Sequence, residues 1–193
     1  MERVRARNAP KRGRPPRRSR EEWLAQALEV LAKSGNAKLR VETIAAALGV
    51  TTGSFYWHFA GRDAFLESLV RYWGEMFTDP VIEHVRNLDE GRQRLGALME
   101  IVLRNDYARY DVSIRAWAAQ EPAIQPLVAE VDQRRLAFVR SLIAEIGFEG
   151  EELEMRTRAC IGYLSLDPTI RAASANGHRF ALLERFEALI TRP

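Results

Sequence analysis

The sequence predicts an all-α protein of about nine helices, a small three-helix unit at the amino end and a larger helical unit behind it. Three observations predict this. Apolar residues recur at helical spacing from Leu24 to Ile190. Glycines and prolines cut that pattern into lengths typical of helices. No period-two run bounded by hairpin turns is present, so strands are not expected.

The elements follow in order. Residues 1–18 hold almost no large apolar side chain, and Pro10, Gly13, Pro15 and Pro16 forbid a continuous helix, so they read as a flexible basic arm. Ser19-Arg20-Glu21-Glu22 spells a capping box. The helix it opens runs from about Arg20 to Lys33 and stops at Gly35. A short helix covers Val41 to Leu48, with Ile44, Ala45 and Leu48 inward, and Gly49-Val50-Thr51 turns the chain. A third helix is expected over Thr52–Phe59, and after Ala60-Gly61 a fourth from Arg62 to about Thr78. The rest gives helices over about Asp89–Tyr107, Asp111–Gln120 and from Val128 to Ile146. Two more follow, over residues 151–175 with a break or kink at Pro168, and over residues 178–191 after an Asn176-Gly177 turn.

Charge gives the first clue to function. The 193 residues carry +3, unevenly spread. Residues 1–20 hold nine basic side chains against Glu2, whereas residues 21–193 hold 20 basic against 25 acidic. A basic arm on a mildly acidic body points to a polyanion as partner. Several classes drop out. No apolar stretch is long enough for a membrane span, and no apolar segment follows the basic start as in a secretory signal. A single cysteine, Cys160, makes no intrachain disulfide or paired-cysteine zinc site, and it points to a reducing cytosol. His58, His84 and His178 lie far apart, so no metal is expected. With no nucleophile–base pair and no glycine-rich phosphate loop, no catalytic residue and no cofactor is assigned, and the chain does not read as an enzyme.

Residues 41–59, VETIAAALGVTTGSFYWHF, describe a helix-turn-helix. Ala45 is small where two helices cross. Gly49 takes a left-handed conformation. Thr51 is placed to cap the second helix, leaving its amide-rich start free for phosphate or base edges. Phe55 and Phe59, four apart, face inward, while Thr52, Ser54, Tyr56, Trp57 and His58 remain for the major groove. Within the arm, Arg12-Gly13-Arg14-Pro15 looks like an AT-hook, two arginines flanking a flat glycine that enter a narrow A·T minor groove.

These residues carry a resemblance. LGVTTGSFYWHFAGRDAF, followed by an all-helical remainder, resembles the tetracycline-repressor (TetR) family of bacterial regulators. The specific motif covers about residues 20–66, and the remainder resembles the family in helix count and order. The resemblance implies a helix-turn-helix DNA-binding domain over residues 19–66 and a ligand-binding and dimerisation domain over residues 67–193. It implies a cytoplasmic, nucleoid-associated homodimer on a palindromic operator, usually a repressor released by a small molecule. By position, its DNA contacts fall on Thr52, Gly53, Ser54, Tyr56, Trp57, His58 and Arg62. Arg40 stands where the family usually has a capping threonine, so it cannot cap, yet it reaches a phosphate more strongly.

The second domain is less explicit. Trp73, Phe77, Met99, Val102, Leu103, Tyr107, Tyr110, Ile114, Trp117, Phe138 and Tyr163 lie on helices that enclose the family's cavity, and their aromatic weight suggests a mostly apolar effector. Core packing is the competing reading for each. Arg115, Asp132 and Arg135 read as a structural ion pair between neighbouring helices. Apolar stripes of Leu153, Cys160, Ile161 and Leu164, and of Leu182, Leu183, Phe186 and Leu189, are expected to form a four-helix dimer interface. The competing functions are an architectural protein of A·T-rich DNA and a transcriptional activator.

Overall fold

The computed structural model describes residues 18–88, 91–166 and 176–192, and all regular structure among them is helical. Nine α-helices follow in order: α1 (Arg20–Ser34), α2 (Val41–Leu48), α3 (Arg62–Phe77), α4 (Asp79–Arg86), α5 (Gly91–Arg104), α6 (Ala108–Ala118), α7 (Gln125–Glu145), α8 (Gly150–Leu166) and α9 (Asn176–Thr191). Short 3-10 helices fill Asn36–Lys38, Thr52–Trp57 and Pro122–Ile124.

The expected number of helices holds among the described residues, but the members differ. The segment Thr52–Trp57 is a 3-10 turn, not an α-helix. Thr, Gly, Ser and three consecutive aromatic residues are all weak helix formers, and six residues are too few for packing to impose the wider winding. The added member is α4. Its signals are in the sequence: Pro80 lies in the first turn, and Val81, Ile82 and Val85 make an inward face. The α6 helix starts three residues earlier than expected. Asn176-Gly177 begins α9 and is not a turn. The expected kink at Pro168 falls outside the described residues.

Local chemistry sets the helix ends. The Ser19 hydroxyl accepts from the Glu22 amide at 3.2 Å, and the Glu22 carboxylate accepts from the Ser19 amide at 2.7 Å, completing the capping box. Gly49 closes α2 at φ 69°, ψ 31°, where a β-carbon is penalised. Arg40 precedes α2 in extended backbone, and its side chain makes no capping bond. Nor does that of Thr51 before the 3-10 turn; Ser54 Oγ instead donates to the Thr51 carbonyl at 2.8 Å.

Packing divides the molecule differently from the chain order. One core joins α1, α2, the 3-10 turn and α3 to α6 and the first half of α7, through Trp23, Phe55, Phe65, Trp73, Trp117 and Val131. The other joins α4, α5, the second half of α7, α8 and α9, through Val85, Leu95, Phe138, Leu142, Leu153 and Leu183. Helix α7 threads both. At Gly74 an added β-carbon would stand 2.9 Å from Val131 Cγ2 and 2.8 Å from Arg134 Nη2, so a side chain there would force α3 away from α7.

Candidate nucleic-acid interface and cavity

The helix-turn-helix is held from below. Phe55, at the centre, packs edge-on against Trp23 and Phe65 at ring-centroid distances of 5.6 and 5.2 Å, and against Phe59 at 5.0 Å. Anchoring Phe55 and Phe59 inward leaves their neighbours outside. Tyr56 is 69% exposed and Trp57 82% exposed, values that an ordinary surface does not require of large aromatic rings. Arg40, Thr51, Thr52 and Gly53 are exposed beside them; Ser54 and His58 are half-buried. A β-carbon on Gly53 would meet Thr51 Oγ1 at 3.8 Å, ordinary contact, so the glycine leaves the approach to this face open without being required by crowding.

Two arginines border this face with partners inside the chain. Arg18 Nε donates to the Leu48 carbonyl at the end of α2 (3.2 Å), and its Nη1 to Glu22 (2.7 Å). Hence the chain is fixed to the helix-turn-helix from Arg18 onward. Arg62, at the start of α3, reaches Glu121 at 2.6 Å across to the far end of α6, and Asn36 Nδ2 donates to Gln120 at 2.9 Å beside it. The expected phosphate ligand Arg62 thus has a carboxylate partner in the DNA-free chain. Arg12 and Arg14 lie outside the described residues.

The cavity lies on the seam between the two cores. Its walls are apolar: Phe77, Val81, Ile82, Leu98, Val102 and Phe138, continued by Val139, Ile161, Leu164 and the Tyr107 ring. One end is polar and belongs to Thr78, Asp111, Arg135 and Ser165. Its volume is about 50 Å³, space for about one or two waters and far below the roughly 300 Å³ at which ligand pockets begin. Of the residues expected around an effector, Phe77, Val102, Tyr107 and Phe138 line this cavity. Trp73, Tyr110, Ile114 and Trp117 sit in the first core instead, and Met99 and Leu103 in the second. Tyr163 stacks on Phe186 with ring centroids 4.2 Å apart. Sequence reading missed Val81 and Ile82, because it had no α4, and it missed the polar end.

That polar end is a network. Asp111 Oδ1 accepts from Trp73 Nε1 at 3.1 Å; Oδ2 accepts from Arg135 Nη1 at 2.7 Å and from Ser165 Oγ at 3.4 Å. Arg135 Nε donates to Thr78 Oγ1 at 2.8 Å, and the guanidinium lies 4.6 Å from the Trp73 ring centroid. Thr78 is the corner between α3 and α4. Arg135 therefore pairs with Asp111, while Arg115 forms a two-pronged bridge to Asp132 at 2.6 Å on each arm, which holds the Arg115 pKa above its usual value.

The expected dimer stripes split into three groups. Leu153, Cys160, Leu164 and Leu183 are buried within the chain itself, Ile161 and Phe186 are half-buried, and Leu182 and Leu189 are exposed at 43% and 68%. Met155 and Leu166 on α8, both about half exposed, join the latter two. Burial pushes the Cys160 thiol up to about 12, so the thiolate that reacts with oxidants is scarce at neutral pH. Among the described residues no cluster of three or more His, Cys, Asp or Glu is placed to hold a metal, and no helix is long and apolar enough to cross a membrane.

Comparison with known proteins bears on both halves. Residues 24–69 match the family described as bacterial regulatory proteins, tetR family. No curated protein sequence matches the chain significantly. Among solved structures the fold is shared with a protein described as a transcriptional regulator from Saccharomonospora viridis in complex with choline (18% identity, TM-score 0.72, covering 86% of this chain and 94% of that one). A second is described as a TetR-family transcriptional regulator from Rhodococcus sp. (19% identity, TM-score 0.71, 90% and 98%). A third is AibR in complex with isovaleryl coenzyme A and operator DNA (14% identity, TM-score 0.70, 91% and 100%). At these identities the likeness is one of fold.

Proposed function

We propose that this chain, whose residues 24–69 match the tetR family of bacterial regulatory proteins, works as a homodimeric transcriptional repressor in the bacterial cytoplasm, released from a palindromic operator by a small, mostly apolar molecule. The observation that carries this reading is the pair Tyr56 and Trp57, held outward by the buried Phe55 and Phe59 on a helix-turn-helix. Rings in that position suit base edges and thymine methyl groups. Ser54, Thr52, His58, Arg40 and Arg62 supply polar and phosphate contacts around them. For Arg62 to do so it exchanges Glu121 for a phosphate. The arm adds minor-groove and phosphate contacts through Arg12 and Arg14.

Dimerisation uses α8 and α9. Met155 and Leu166 lie on one face with the small residues Ala159 and Gly162 between them, which lets a partner helix approach closely, and Leu182 and Leu189 extend the apolar surface. This interface belongs to the second core, whereas the recognition segment belongs to the first. A molecule that enlarges the seam cavity therefore shifts one core against the other. The moving body is α1, α2 and α3 together with α6, because they share one core. A shift of a few ångströms takes the two recognition segments away from the roughly 34–36 Å spacing of successive major grooves.

The test is selection of bound duplexes from a random library, followed by affinity measurements on the selected site. A palindrome should emerge, and Tyr56→Ala and Trp57→Ala should each weaken binding to it while leaving the dimer and thermal stability unchanged. Selection of A·T-rich duplexes with no palindrome would refute the reading. Deleting residues 1–17 should lower the slope of log K against log salt, each lost phosphate contact by about 0.9.

A further inference from the structure

The geometry points to the chemical class of the effector: an uncharged, mainly apolar molecule bearing one hydrogen-bond-accepting oxygen, such as a carbonyl, seated against Arg135. This rests on reading the seam cavity as the effector site.

Three features of the cavity lead to it. The first is what remains unfilled. Asp111 already accepts from Trp73, Arg135 and Ser165, so it has little capacity left for a donor brought by a ligand. Arg135 is different. A guanidinium carries five N–H groups and no acceptor. Nε serves Thr78 and Nη1 serves Asp111, while Nη2 makes no hydrogen bond among the described residues. The vacant position on this cavity-lining side chain asks for an acceptor.

The second feature is charge. Asp111 and Arg135 cancel, and both are largely buried, with side chains 8% and 13% exposed. The neighbouring Arg115–Asp132 pair cancels as well. Arg86, 5.5 Å from the Phe138 ring centroid, is an exposed side chain and stays solvated. A carboxylate or an ammonium entering this space would leave one charge uncompensated in a low-dielectric site, a heavy penalty. A neutral oxygen avoids that penalty and still gains a charge-assisted hydrogen bond. The third feature is the wall. Phe77, Val81, Ile82, Leu98 and Val102 offer no partner to polar groups along the rest of the ligand. Each apolar atom that fits between them gains burial, and because the cavity is about 50 Å³ the gain requires the seam to open.

Four compounds of similar shape separate the alternatives: acetophenone, ethylbenzene, benzoate and benzyltrimethylammonium. Each is titrated calorimetrically into the full-length dimer, and operator release is followed in parallel by fluorescence anisotropy. Acetophenone should bind about tenfold or more tighter than ethylbenzene, and both charged compounds should bind more weakly still. Arg135→Lys keeps a positive charge beside Asp111 but removes Nη2. It should abolish the preference for acetophenone while leaving ethylbenzene binding nearly unchanged, with a lower melting temperature because the Thr78 hydrogen bond and the stack on Trp73 go with the guanidinium. Should that variant fold poorly, the four-compound ranking on the unaltered protein still decides. Equal binding of ethylbenzene, tighter binding of either ion, or no binding of any compound would overturn the proposal. Acetophenone binding without operator release would leave the ligand class standing and refute the release mechanism. Release by a charged compound alone would do the reverse.

Discussion

The two cores of this molecule are built from different material. Among the described residues, the first buries seven aromatic side chains: Trp23, Phe55, Phe59, Phe65, Trp73, Tyr110 and Trp117. The second buries one, Phe138, among aliphatic residues and Cys160. Interlocked rings have few alternative packings, so the core that carries the recognition segment is suited to move as one piece. Aliphatic side chains of similar size repack more readily. The proposed effector site follows this contrast: the cavity lies not inside the aromatic core but at its border with the aliphatic one, where the Asp111–Arg135 pair ties the two together.

Cutting that tie is the most severe way to test the comparison. Arg135→Met leaves Asp111 buried without its counter-ion and should cost about 3–5 kcal/mol. All four tryptophans (Trp23, Trp57, Trp73, Trp117) lie in the recognition half. In urea the variant's fluorescence and circular-dichroism transitions should therefore separate, whereas those of the unaltered protein coincide. Coincident transitions in the variant would mean that the cores do not depend on this pair for their coupling. Adding Asp111→Asn, which removes the stranded charge and keeps an acceptor for Trp73, should recover most of the loss.

On the recognition segment, an anchoring and an exposed position should respond oppositely. Phe55→Ala empties a site touching four other rings and should cost about 3–5 kcal/mol. Trp57→Ala, two residues on and exposed, should change stability by no more than about 0.5 kcal/mol yet weaken operator binding. Similar stability losses in both variants, measured by urea titration, would remove the distinction between anchor and reader.

The second core should be sensitive at its outer surface. Leu189→Arg touches no buried position, so the chain should fold normally and sediment as a monomer in analytical ultracentrifugation. A dimer that survives this change would move the interface off α9.

A smaller effect sharpens the first core's extent. The Tyr110 hydroxyl donates to Glu29, Arg109 bridges to the same carboxylate at 2.8 Å, and Lys33 to its other oxygen at 2.9 Å, stitching α6 to α1. The Tyr110 hydrogen bond, helped by the two cations and opposed by burial, holds the Glu29 carboxyl below its ordinary value. Because the folded value is depressed, the contribution is present above the unfolded pKa of about 4.3 and is lost as pH falls through the folded one. Thermal unfolding of Glu29→Gln should thus fall less steeply than that of the unaltered protein below about pH 4.5. Parallel curves would show that this contact adds nothing to the joining of α6.

The helical class, the capping box at Ser19, the stop at Gly49, and the inward Phe55 and Phe59 that leave Tyr56 and Trp57 outside are legible in the order of residues. These follow from local backbone chemistry and from spacing along one element, where neighbours in sequence are neighbours in space. The sequence also contained α4, unrecognised, in Pro80, Val81, Ile82 and Val85. Tertiary structure alone decided which elements share a core. Nothing in the order of residues says that α6 packs with α1, or that α7 divides its length between two cores. It alone paired Arg135 with Asp111 instead of Asp132, 24 residues apart instead of three. Among the eight apolar residues expected on the dimer stripes, it left Leu182 and Leu189 exposed and buried Cys160, Leu164 and Leu183. A side chain's apolar character says that it seeks cover, but what covers it is set by helices distant in the chain.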